Sequence, residues 1–84
     1  MSGNSAAAFG RILRRRRTAK GISQEELASR AGLHRTFVSM LERGTRAPSL
    51  DVIRKLAVGL ETTATGLVAD VEAEIGEEEQ GAAE

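Results

Sequence analysis

Residues 23–46 leave this chain little choice of fold. Ser23 is a good helix N-cap, and Glu26 stands three residues on, the spacing of a capping box. Leu27, Ala28 and Ala31 then recur on one face of a 3.6-residue period. Gly32 supplies a position where left-handed backbone costs little, so a first short helix ends there. Leu33 is a packing residue in the turn. A second period runs through Phe37, Val38 and Leu41, and Gly44 closes it.

Two helices joined by a turn of three to four residues containing Gly form a helix-turn-helix unit. Once Val38 and Leu41 are assigned to the core, Arg35, Thr36, Ser39 and Met40 point outward, with Arg43 a turn later. That face carries a cation and two hydroxyls but no carboxylate. Side chains of this kind at a helix start can reach base edges, while nearby guanidinium and hydroxyl groups hold phosphates. An ordinary solvated helix face is the competing reading, and the rest of the chain weighs against it.

The formal net charge of zero conceals a strong polarity. Residues 1–60 hold all twelve Lys and Arg against four acids, a balance of +8. Residues 61–84 hold the other eight acids and no Lys or Arg, a balance of −8. The basic footprint of a nucleic-acid binder lies in distribution rather than total, and the helix-turn-helix sits in the basic part. With 84 residues the chain is one domain at most, and it buries only roughly 60–65% of its unfolded surface. It has no Cys and one His, which excludes disulfides and thiolate metal sites. There is no metal cluster, Gly-rich phosphate loop or Cys/His pair, so neither enzyme activity nor a cofactor is expected. No apolar run spans a bilayer and no signal-peptide pattern occurs, so a soluble cytoplasmic protein is expected.

The remaining chain reads as helices, with no strand-period segment. Residues 1–5 read as a frayed start. Helix 1 is expected from about Ala6 to Lys20, with Phe9, Ile12 and Leu13 inward. Arg11, Arg14, Arg15, Arg16, Arg17 and Lys20 cover much of the rest. Most of that run is expected to be solvated, with one or two residues on phosphate and one paired internally. After a loop through Pro48, Ser49 caps helix 4, whose core face is Leu50, Ile53, Leu56, Ala57 and Leu60. Thr63 caps helix 5, about Ala64 to Ile75, striped by Leu67, Val68, Val71 and Ile75. Gly76 is expected to stop it. Residues 6–76 thus form the domain, and 77–84 read as a disordered acidic tail.

Ile22-Ser23-Gln24-Glu25-Glu26-Leu27-Ala28, Ala31-Gly32-Leu33, Val38-Ser39, Glu42-Arg43-Gly44 and Pro48-Ser49-Leu50 occur in order. Together they resemble the lambda-repressor-like, or XRE-type, DNA-binding domains over about Phe9 to Val68. The resemblance implies an all-α, five-helix domain with the helix-turn-helix at helices 2 and 3. It implies base contacts from Arg35 and Thr36, with Ser39 and Met40 contributing. It implies phosphate contacts from Gln24, Arg43, Thr45 and Arg46, His34 at the N-cap of helix 3, and an ion pair between Arg17 and Glu42. Arg16 stands where the family usually has leucine, and its stem is expected along the core edge with its head in water. Leu33-His34-Arg35-Thr36-Phe37-Val38-Ser39 followed by Leu41-Glu42-Arg43 is similar to a subgroup, the controller proteins of restriction–modification systems.

Physically, Arg35 can place its fork on guanine O6 and N7, and Thr36 can offer a hydroxyl or a methyl. Phe37 either packs inward or leans on the DNA backbone or a thymine methyl. The N-terminus of helix 2 suits phosphate, and Gln24 adds an amide donor. Operator recognition by such a module uses a two-fold dimer with half-sites about 34 Å apart. Val68, Val71 and Ile75 are the expected dimer surface, since they exceed what a small bundle needs. The expected function is that of a homodimeric transcriptional regulator on a (pseudo)palindromic operator, with duplex DNA and a second copy as partners and no small-molecule ligand. The alternative is a protein-interaction module of the same fold, of antitoxin or bridging-factor type. RNA is disfavoured by the near absence of stacking aromatics.

Overall fold

Five helices follow one another in the computed structural model, which describes residues 4–83. Asn4 is extended and its Oδ1 accepts from the Ala7 N–H at 3.1 Å, so α1 (Ser5–Lys20) starts one turn before Phe9. The frayed start expected for residues 1–5 therefore does not extend to Asn4 and Ser5; residues 1–3 lie outside the described residues. In α2 (Gln24–Ala31) Ser23 Oγ accepts from Glu26 N–H at 3.0 Å. Gly32, at φ 68°, turns the chain, and the Leu33 N–H closes on the Ala28 carbonyl at 2.9 Å. That conformation strains any residue with a Cβ. α3 (Arg35–Glu42) follows after two residues, and α4 (Leu50–Gly59) is capped by Ser49 Oγ on Val52 N–H at 3.1 Å.

α5 (Ala64–Ala83) is longer than the sequence suggests. The chain stays helical through Gly76, where a stop was expected, and through most of the segment read as a disordered tail; Glu84 lies outside the described residues. Glycine inside a helix costs about 1 kcal/mol relative to alanine and does not end a helix by itself. The Arg11 guanidinium, moreover, bonds Glu74 before Gly76 and Glu78 after it, which ties both sides to α1.

Ile12, Leu13, Leu27, Val38, Leu41, Leu56 and Leu67 are fully buried, so all five helices feed one core. α1 packs on α3 and α5, α2 on α3 and α4, and α4 on α5. Two core expectations change. Leu50, the first residue of α4, is 69% exposed, because the helix start projects past the core. Val71, expected on the dimer surface, is buried with Phe9, and Ile75 is half-buried against the same core.

The α1–α3 crossing depends on Gly10. A methyl there would lie 2.5 Å from the Leu41 carbonyl oxygen and 2.6 Å from that of Glu42. Backbone atoms cannot rotate aside, so Gly10→Ala should cost at least the roughly 1–3 kcal/mol typical of overpacking. Urea unfolding checks this, and an unchanged midpoint would mean the two helices can separate freely.

Candidate nucleic-acid interface

The position of α3 is set by a polar network beneath it. The Arg17 guanidinium donates to Glu42 through Nε at 2.6 Å and Nη2 at 3.1 Å. Its Nη1 donates to the Ile22 carbonyl at 2.8 Å. Gln24 Nε2 adds a third bond to the Glu42 carboxylate at 2.9 Å. The Glu42 side chain is 4% exposed and that of Arg17 13%, so this is a mostly buried, bidentate pair. The hydrogen bond that Arg17 donates to Glu42 holds the Arg17 pKa above the ordinary arginine value; burial opposes it, and the Glu42 charge adds a smaller push upward. One carboxylate thereby joins α1, the start of α2 and the end of α3. Gln24, expected on phosphate, spends one of its two amide N–H groups on this network.

α3 rises from that base. His34 takes the extended N-cap conformation, but its ring makes no capping bond. Val38 and Leu41 face the core. Arg35 and Thr36 are exposed, while Ser39 and Met40 are half-buried beside them. Arg43, Thr45 and Arg46 are exposed at the end of α3 and in the following loop. Thr45 Oγ1 donates to the Met40 carbonyl at 3.1 Å, which caps the helix end and occupies the hydroxyl proton expected on phosphate. Phe37 takes part of the inward alternative. It is half-buried against the core, and the Arg46 guanidinium carbon stands 5.5 Å from its ring centroid. That cation–π contact holds Arg46 beside α3.

The charge of α1 is largely taken up by acids of residues 61–78. Arg16 Nε donates to Asp70 at 2.7 Å, so its head is paired where solvent was expected. Arg11 donates to Glu74 at 2.7 Å and also pairs with Glu78, and Arg15 reaches Glu74 at 3.2 Å. Lys20 donates to Glu61 at 2.7 Å. Among the described residues only Arg14, Arg35, Arg43, Arg46 and Arg54 lack a carboxylate partner. Three of these five cations belong to α3 and its following loop. The clamp had a signal in the sequence: Arg11 and Arg15, like Asp70, Glu74 and Glu78, are spaced four residues apart on one helix face.

Glu74 is held below the usual carboxylate range mainly by the hydrogen bond from Arg11, and Glu61 by that from Lys20. A lowered native pKa means the folded state binds fewer protons than the unfolded chain near that range. The stabilisation is complete above the ordinary value near 4.5 and is lost as pH falls through the lowered native value. Urea midpoints should therefore fall between pH 5 and 3, on the order of the carboxylate range, and Glu74→Gln should fall less steeply. Equal slopes would mean the pairs are too solvated to matter.

Residues 13–67 match the helix-turn-helix family. The chain belongs to that family. Relatives of this helix-turn-helix protein include the control protein C.BamHI of Bacillus amyloliquefaciens, 46% identical over 71% of this chain and 75% of the relative. The control protein C.MunI of a Mycoplasma species is 39% identical over 79% of this chain and 90% of its own length. Among solved structures, the restriction–modification controller protein C.AhdI from Aeromonas hydrophila superposes with a TM-score of 0.72 at 48% identity. That likeness covers 74% of this chain and 94% of the other. The all-α, five-helix architecture implied by the motifs is the observed one. No helix among the described residues is long and apolar enough to cross a membrane.

Proposed function

We propose that this helix-turn-helix regulator binds a two-fold operator as a homodimer and times gene expression in a restriction–modification system, as a non-catalytic cytoplasmic protein. The observation that carries the reading is the uncommitted state of the α3 face. Arg35 and Thr36 are open to solvent and make no side-chain hydrogen bond or ion pair among the described residues, while most of the α1 cations are already paired. Arg35 supplies a guanine-reading fork, with Thr36, Ser39 and Met40 beside it. Arg43 and the Phe37-backed Arg46 bind phosphate and set register.

The dimer surface follows from what the fold leaves uncovered. Val71 is used by the core, so the surface moves outward to Val68, 42% exposed, and Leu50, 69% exposed. These two line one open hollow with Ala64, Thr65, Ala69 and Glu72. Covering it with the same patch of a second copy gives the isologous contact a two-fold operator requires. Affinity then depends on protein concentration through dimerisation, with no ligand domain needed.

The test joins binding-site selection on random duplexes to sedimentation. A selected site with half-sites about 34 Å apart supports the reading. Val68→Asp should raise the dimer dissociation constant about tenfold or more, since a charge would enter an apolar contact. No sequence enrichment would overturn the regulator reading, and an undisturbed dimer would overturn the assigned surface.

A further inference from the structure

From the α1–α5 ion pairs we infer that Glu74 and Glu78 are specificity-determining residues, acting as built-in substitutes for DNA phosphate that keep Arg11 and Arg15 off the duplex. This rests on the DNA-binding reading above. A helix-turn-helix protein needs few cations at its recognition face, because every surplus exposed cation strengthens binding to any sequence alike. The α1 segment from Arg11 to Lys20 holds six Lys and Arg; Arg14 has no carboxylate partner among the described residues, and four more would be surplus in that sense: Arg11, Arg15, Arg16 and Lys20. Each of the four is occupied by a carboxylate of residues 61–78. Arg17 is spent on Glu42 instead.

The acids are placed for this purpose. Asp70, Glu74 and Glu78 form one stripe at four-residue spacing along α5 and face α1. The Glu74 side chain is only 12% exposed and bonds two guanidinium groups, while Arg11 bonds two carboxylates. Glu77 and Glu79, on the same stretch of α5, are exposed and make no ion pair among the described residues. The same helical segment therefore contains two clamping acids and two idle ones, so the effect of clamping can be separated from that of net charge.

The experiment compares Glu74→Gln/Glu78→Gln with Glu77→Gln/Glu79→Gln, two variants with the same change in charge. Binding to a random-sequence duplex is measured across salt concentrations, with binding to a selected operator alongside. Freed Arg11 and Arg15 should raise random-duplex affinity about tenfold or more at low salt and steepen the salt slope by about two per protomer bound. The operator-to-random ratio should fall correspondingly. The Glu77/Glu79 variant should change random-duplex affinity by less than about threefold, as a screened long-range charge effect. Equal changes in the two variants, or none in the Glu74/Glu78 variant, overturn the inference. Helicity and thermal unfolding establish that both are folded; if the first is not, Glu74→Gln alone against Glu77→Gln gives the same comparison. Failure of the wild type to prefer any operator would instead count against the DNA-binding reading.

Discussion

Glu42→Ala should lower the unfolding free energy by about 3–5 kcal/mol, because it strands a mostly buried guanidinium. Arg17 would keep only its bond to the Ile22 carbonyl, and Gln24 would lose its acceptor. Domains of this size are stable by about 5–15 kcal/mol, so the loss is a large share of the total. The melting temperature should drop by about 12 °C or more. Arg17→Ala should be similarly harmful, because it strands the Glu42 carboxylate. Replacing both partners by apolar residues should restore much of the loss, since no unpaired charge remains inside. A double-mutant cycle measures this directly, and a coupling near zero would show that water already serves the pair. The same network holds the start of α2 against the end of α3, so operator binding should weaken in the single variants even below their melting temperatures.

Arg35→Ala should have the largest effect on recognition. Losing a bidentate contact costs about 1–3 kcal/mol at one base pair. A two-fold dimer makes the contact twice, so the total is about 2–6 kcal/mol, at least about 30-fold in affinity. The selected operator should lose its preference at that one position in each half-site and keep it elsewhere. Arg46→Ala should behave differently. Arg46 sits in the loop and leans on Phe37, and it is assigned to phosphate rather than to a base edge. All sequences should weaken together, with a salt slope shallower by about one per protomer, or about two for the dimer. Site selection on both variants decides the matter, and an exchange of the two patterns would reassign the residues.

Much of the framework could be read locally. Ser23 and Ser49 cap the helices their positions announce, and Gly32 takes the left-handed turn. The 3.6-residue spacing of Leu27, Ala28 and Ala31, and of Val38 and Leu41, names the buried faces correctly. The same spacing leaves Arg35 and Thr36 outward. Periodicity was less informative at helix ends and edges. It put Leu50 in the core, although the first residue of α4 is exposed, and it left Val71 uncovered, although the fold buries it in the same core cluster as Phe9. Periodicity says which residues share a face and is silent on how far a neighbouring helix extends over that face. Gln24 and Thr45 show a related limit: the sequence marks them as donors, and the folded chain supplies one acceptor for each that the sequence does not announce.

Local order along the chain thus determined five helices, the caps at Ser23 and Ser49 and a turn, because a cap bond or a helical face involves residues within one or two turns. Which cations remain available was decided only when α1 and α5 came together. Arg11 and Glu74 are 63 residues apart and Arg16 and Asp70 are 54, yet each pair closes to 2.7 Å. Charge pairing at such separations depends on the apposition of two packed helices. A composition that reads as a basic half and an acidic half therefore folds into a clamped α1–α5 face and, on α3 and its loop, three unclaimed arginines.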